Sequence, residues 1–160
     1  RSLNTQYGND VINLMPTNLY GPNDNFSEKD SHVIPGLIKR MHKSKVTNAE
    51  SFNIWGTGEP LREFLFVDDL SKAVEFLIDK KVETDLLNVG SGNEITIKNL
   101  AEKIKKVIDY QGELIFDTSM PDGNPRKLID SQKINKLGWE PTINLDEGLK
   151  ITYSWFLENN

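Results

Sequence analysis

The sequence predicts an α/β fold, and three observations carry that expectation. Short apolar runs of strand length, Val11-Ile12-Asn13-Leu14-Met15 and Leu86-Leu87-Asn88-Val89, are separated by segments whose apolar residues recur at i, i+3, i+4 and i+7. Strand and helix patterns alternate along the chain, as a sheet with crossover helices requires. Both apolar runs drive into loops of Pro, Thr, Asn, Gly and Ser, and open α/β sheets place ligands just beyond the carboxyl ends of their strands.

Taken in order, Leu3 to Gly8 reads as the last turn of a helix closed by a glycine, and Asp10 to Met15 as a buried strand. The chain opens at Arg1 without an initiator methionine, so we expect part of a longer protein; a processed mature chain is the other reading. A long polar loop runs to Asp30. From Val33 to Lys43, Ile34, Leu37, Ile38 and Met41 make one helical face, and Pro35 fits only in that helix's first turn. Ser51 to Trp55 alternates as a strand, Gly56 to Pro60 turns, and Leu61 to Val67 is extended again, so the pair reads as a hairpin.

Asp68 is placed to cap a helix that turns Leu70, Ala73, Val74 and Leu77 inward. Leu86 to Val89 is a short buried strand ending at Gly90-Ser91-Gly92, and Thr96 caps a helix carrying Ile97, Leu100, Ile104 and Val107. Leu114 to Phe116 is a strand, Asp117 to Lys127 a polar loop and Ser131 to Leu137 a short helix. Asn144 caps a last helix with Leu145, Leu149, Thr152 and Phe156 on one side. The strands are strongly apolar yet too few to flank one another, which predicts that they complete a sheet whose other strands precede Arg1.

With 160 residues, 37% of them hydrophobic and 27% charged, the chain can bury one real core. A net charge of -5 and a pI near 5.1 argue against nucleic acid or an anionic membrane as partner, so an anionic ligand must be caught locally. The chain has no cysteine, which excludes disulfides, thiolate catalysis and cysteine-based zinc sites within these residues. No apolar run reaches the roughly 18 residues of a membrane span, no export signal is visible, and the expectation is a cytoplasmic protein with no metal site.

Gly90-Ser91-Gly92-Asn93 is too short for the dinucleotide fingerprint, so a pyrophosphate cradle is missing from these residues. His42, on a basic helix border, reads as a solvated side chain. His32 directly follows the ligand-side loop, where an imidazole with an ordinary pKa near 6.5 can exchange a proton at neutral pH; a helix cap or a merely exposed residue is the alternative. Arg40 and Arg62 are candidates to grip a phosphate with paired hydrogen bonds, and equally candidates for surface ion pairs. Trp55 can stack on a base or fill a core, and Asp122 can accept from ribose hydroxyls or serve its own Pro-Asp-Gly turn.

Singly these residues are unspecific, but their succession is not. Met-Pro-Thr-Asn-Leu-Tyr-Gly-Pro (15–22), Ser-His-Val-Ile-Pro (31–35), Trp-Gly-Thr-Gly-Glu-Pro-Leu-Arg-Glu-Phe-Leu (55–65), Val-Asp-Asp-Leu (67–70), Asn-Val-Gly-Ser-Gly (88–92), Pro-Asp-Gly-Asn-Pro-Arg-Lys (121–127) and Leu-Gly-Trp-Glu-Pro (137–141) closely resemble the C-terminal half of the GDP-L-fucose synthase family, among the extended short-chain dehydrogenases. The resemblance covers essentially the whole chain. It implies one C-terminal nucleotide-sugar-binding domain over residues 1–160, completing a Rossmann sheet that lies outside these residues, in a homodimeric enzyme.

The implied reaction epimerises two carbons beside the ketone of a GDP-4-keto-6-deoxy-mannose and then reduces the ketone with NADPH. By the resemblance, His32 is the acid of the epimerisation and also lies by the cofactor. Pro16, Thr17, Asn18 and Leu19 match the loop along the nicotinamide, and Arg40, Trp55, Arg62 and Asp122 match positions that hold the GDP-sugar. Lys127 is a further candidate to add charge to that site. The base, a cysteine, the reducing tyrosine and lysine, their assisting serine and the glycine-rich loop are expected before Arg1, so these residues alone should be inactive as a reductase. Met120 and Phe66 depart from the family pattern, which more often has lysine and histidine or tyrosine there. Two other readings share parts of this pattern: a GDP-mannose dehydratase or UDP-sugar epimerase, and a non-catalytic nucleotide-sugar-binding module.

Overall fold

One extended stretch, residues 13–20, serves two sheets in the computed structural model, which describes residues 2–8, 11–27, 30–82 and 84–160. Along the chain come α1 (Ser2–Tyr7), β1 (Asn13–Pro16), β2 (Asn18–Tyr20), α2 (Val33–Val46), β3 (Ser51–Trp55), β4 (Leu61–Phe66) and α3 (Val67–Ile78). There follow β5 (Leu86–Val89), β6 (Glu94–Thr96), α4 (Ile97–Ile108), β7 (Glu113–Asp117), β8 (Arg126–Lys127), α5 (Gln132–Lys136) and α6 (Leu145–Asn159). β1 pairs in parallel with β5, with Leu14 opposite Leu87, whereas β2 pairs in parallel with β4, with Leu19 opposite Leu65. The partner changes at Thr17.

β4 is the wall between two cores, because successive strand residues point to opposite faces. Phe64 and Phe66 pack with Tyr20, Leu37, Ile104 and Leu149 on one side. Leu65 packs with Leu77, Leu87, Ile134 and Trp139 on the other. The helical faces expected for α2, α4 and α6 are the ones that fill the first core, and Pro35 lies in the first turn of α2. The Thr96 and Asn144 caps accept from Asn99 N at 3.1 Å and Glu147 N at 3.0 Å. Phe66, a departure from the family pattern, is fully buried and belongs to this packing.

Four expectations are corrected. β3 and β4 are not a hairpin: β3 pairs in parallel with β7, and β4 pairs in parallel with β2 and β8 and antiparallel with β6. The turn between them carries positive φ at Gly56 and Gly58 and is tied elsewhere, Gly56 N donating to Asp117 O and Lys98 N to Gly58 O. That sends the chain across rather than back. Asp68 lies inside the first turn of α3, whose cap position is Phe66. Val74 of the same helix is exposed. His42 is half-buried rather than solvated, with Nδ1 at 2.9 Å from the Tyr153 hydroxyl and its ring against Phe156. The start of the first strand, set at Asp10, lies outside the described residues. Among the described residues no helix is long and apolar enough to cross a membrane.

α6 approaches β2 and β4 closely because Gly148 has no side chain. A Cβ there would run into the Tyr20 hydroxyl and lie 3.0 Å from Phe66 Cδ2. Alanine normally favours a helix by about 1 kcal/mol over glycine. Gly148→Ala is nonetheless expected to destabilise the protein by about 1–3 kcal/mol through overpacking, read as a lowered urea midpoint at unchanged slope.

Candidate active site

The switch at Thr17 is held by hydrogen bonds to both sheets. Thr17 N donates to Val89 O at 3.0 Å, and the Asn18 side chain donates to Glu63 O at 2.7 Å. Beyond it, the chain runs through Gly21, Pro22 and Asn23 to Asp24 and returns at His32, the cap position of α2. These segments enclose a cavity of about 490 Å³ lined by Thr17, Asn18, Leu19, Asp24, His32 and Pro35, among others. Pro16 is exposed at the end of β1, outside that lining. The imidazole of His32 makes no side-chain cap bond, so the capping alternative is removed; the ring is 85% exposed at the cavity rim.

A second group of candidates gathers at the turn after β3. Trp55, Arg62 and Asp122 line one small cleft of about 80 Å³ with Pro60, Ile97 and Gly123. Trp55 is 66% exposed, so its indole is not core. Arg40 reaches the same edge from α2: its Cζ lies 5.4 Å from the Phe52 ring centroid and 6.0 Å from that of Trp55. Its Nε donates to Gly36 O at 3.2 Å, and burial lowers the pKa of its guanidinium.

The carboxylate of Asp122 fixes the turn, accepting from Thr57 N at 2.9 Å and from the Thr57 hydroxyl at 2.7 Å. Arg62 spends Nη1 on Asn124 O and Leu61 O, both at 2.7 Å, and its Nε and Nη2 bond to no described residue. Two cations, an exposed aromatic face and an exposed carboxylate therefore share one edge. Such a set can bind an anionic, ring-bearing ligand, the cations by charge and paired bonds, the indole by stacking. Lys127 sits in β8 opposite Arg62, while neighbouring Arg126 is paired with Glu94, Nη2 to Oε2 at 2.6 Å.

Sequence reasoning missed Glu63. Its side chain is fully buried, and its carboxylate accepts from Gly92 N at 2.7 Å and Ile129 N at 3.2 Å, while its carbonyl takes the Asn18 side chain. One residue thus binds the loop after β5, the strap before α5 and the switch at Thr17. The available signal was an acidic residue immediately before the apolar run Phe64-Leu65-Phe66 of the same strand. A larger cavity of about 690 Å³, beside Asn93, Lys106 and Ile143, contains none of the candidate residues.

Ligand loops at the carboxyl ends of parallel strands, with helices packed across the sheets, place the chain among α/β proteins that bind ligands at the strand ends. The chain belongs to the NAD dependent epimerase/dehydratase family, which matches residues 1–90. It is 53% identical over 154 residues to GDP-L-fucose synthase 1 of Arabidopsis thaliana, covering 96% of this chain and 48% of that protein. Against GDP-L-fucose synthase of Escherichia coli (strain K12) it is 47% identical over 167 residues, covering 99% of this chain and 52% of the relative. The crystal structure of a GDP-L-fucose synthetase from Naegleria fowleri bound to NADP superposes with a TM-score of 0.88 at 30% identity, covering 99% of this chain and 50% of that one. The chain spans about half the length of the curated relatives it matches.

Proposed function

We propose that this chain is the C-terminal, nucleotide-sugar-binding part of an NADPH-dependent enzyme that converts GDP-4-keto-6-deoxy-mannose to GDP-L-fucose. The observation that carries the reading is its identity to GDP-L-fucose synthases over nearly its whole length. The geometry supports it with two separate groups of residues, one at the 490 Å³ cavity and one at the Trp55 edge. In this reading Arg40 and Arg62 hold the diphosphate, Trp55 faces the nucleoside and Asp122 accepts from it. A cytoplasmic, homodimeric enzyme completes the proposal, and the lack of cysteine fits a reducing compartment.

The residues near His32 fit the nicotinamide end of a dinucleotide. Leu19 and Pro35 supply apolar wall, and Asn18, whose Nδ2 is spent on Glu63 O, keeps its amide oxygen for a carboxamide. They do not fit its pyrophosphate, since Gly90 to Gly92 leads into β6 and not into the start of a helix. Pro16, Thr17, Asn18, Leu19 and His32 would hold that end, and NADPH would supply the hydride for the ketone.

The chain's own chemistry is the proton step. A ketone acidifies the C–H bonds beside it because the carbanion is delocalised as an enolate, and inversion needs a base on one face and an acid on the other. His32, at the rim of the cavity and free of any capping bond, gives its proton to the carbon opposite the base. The base and the ketone's proton donor belong to the part of the enzyme outside these residues. The test is turnover of GDP-4-keto-6-deoxy-mannose with NADPH by the whole enzyme and by this chain. We expect GDP-L-fucose from the first and none from the second; a whole enzyme that prefers a UDP-sugar would overturn the reading.

A further inference from the structure

We propose that Asp24 is the positioning residue for His32, holding its imidazole in the Nδ1–H form so that Nε2 faces the reacting carbon. The proposal rests on the epimerase reading of the site, and its first test does not.

Asp24 is placed by backbone geometry that the sequence commits to. The turn before it puts Asn23 in the left-handed region, φ 64°, which asparagine tolerates better than most residues. The carboxylate is then fixed: its side chain is only 16% exposed, and Oδ1 accepts from Asn25 N at 2.7 Å. Oδ2 is buried without a hydrogen-bond partner among the described residues. A buried acceptor left unmade costs about 1–3 kcal/mol, so this oxygen calls for a donor. The imidazole of His32 faces the same carboxylate, its Nδ1 4.0 Å from the other oxygen, Oδ1, and a rotation of the exposed ring would carry Nδ1 toward the carboxylate.

Among the described residues Tyr20 is the remaining titratable group lining the cavity, and burial raises its pKa so that it stays a neutral phenol. Among the described residues Asp24 is therefore the only one lining the cavity that offers an anionic acceptor to the ring. Which imidazole nitrogen carries the proton is set by the bond its other nitrogen makes. A carboxylate on Nδ1–H leaves Nε2 to carry the exchanged proton and stabilises the imidazolium when both nitrogens are protonated. Filling the cavity excludes water and strengthens that bond.

The chain has only two histidines, so nitrogen-15 spectra of the imidazoles read the tautomer directly. In this chain at a pH where His32 is neutral, the Nδ1–H form is expected to dominate; a dominant Nε2–H form, the one free imidazole favours, overturns the proposal without any variant. Asp24→Asn is expected to shift His32 toward Nε2–H while leaving the signals of His42, bonded inside the core, in place. An unchanged His32 tautomer in that variant overturns it. In the whole enzyme, Asp24→Asn should lower kcat for epimerisation by about 10²-fold with KM within about twofold. If His32→Asn stops epimerisation and Asp24→Asn leaves kcat unchanged, the Asp24 assignment alone fails. If His32→Asn leaves epimerisation intact, the epimerase role fails, and the tautomer measurement still decides whether Asp24 holds the ring.

Discussion

Replacing His32 by asparagine in the whole enzyme is expected to slow epimerisation by about 10²–10⁴-fold, the ordinary contribution of a positioned acid. Asparagine keeps a polar side chain of similar reach and cannot donate to a carbanion at neutral pH. The measurement is wash-in of solvent deuterium at the two carbons beside the ketone, followed by mass spectrometry. Reduction of an already epimerised ketone should continue, because the expected proton donor for the ketone is a different group. A variant that lost both activities equally would instead point to lost binding. The geometry favours the selective outcome: His32 is 85% exposed and bonds no core residue, so its replacement leaves the packing alone.

Asp69 is expected to give the largest effect on stability. It is fully buried, and its carboxylate accepts from Ile143 N at 2.9 Å, from the Thr142 hydroxyl at 2.7 Å and from Thr142 N at 3.1 Å, with Lys72 Nζ at 3.4 Å. Alanine there leaves two backbone donors without their acceptor, and a loss of about 3 kcal/mol is expected at pH 7. Burial pushes this carboxyl's pKa up, but the bonds from Ile143, Thr142 and Lys72 outweigh it and hold the group below its ordinary value. The folded form therefore binds the proton less readily than the unfolded one. The stabilisation is complete above the unfolded carboxyl's pKa of about 3.9 and is lost as pH falls through the lower folded value. Urea titrations at pH 7 and pH 3 should show the difference between wild type and Asp69→Ala shrinking at the lower pH.

Both residues illustrate what could be read from the chain. The helices were legible because one face of each is apolar at helical spacing and because Thr96 and Asn144 announce their caps. Strand pairing was not, because pairing is a property of distant segments. Ser51 to Trp55 alternates cleanly, yet nothing local says that its partner is Glu113 to Asp117 rather than the next extended run. Asp69 carried no local signal, because the backbone donors it serves lie more than seventy residues away. In the site, Trp55, Arg62 and Asp122 do line one cleft, with Arg40 at its edge. Glu63 and Asp24 escaped notice because each acts through the shape of its surroundings, and a carboxylate in a strand or polar loop has no distinctive spacing.

The change of partner at Thr17 makes one strand the joint between two sheets. Its first half moves with Leu86 to Val89, its second with Leu61 to Phe66, and a single residue bridges them. Any tilt of one sheet against the other must be taken up in the two dihedrals of that residue, since the bonds to Val89 and Glu63 immobilise both sides. The joint is thus a rivet and not a hinge, and the loop that ends at His32 starts from a pinned point. β4 carries Arg62 toward the Trp55 cleft and Glu63 toward Thr17, so one strand fixes the spacing between the two groups of residues.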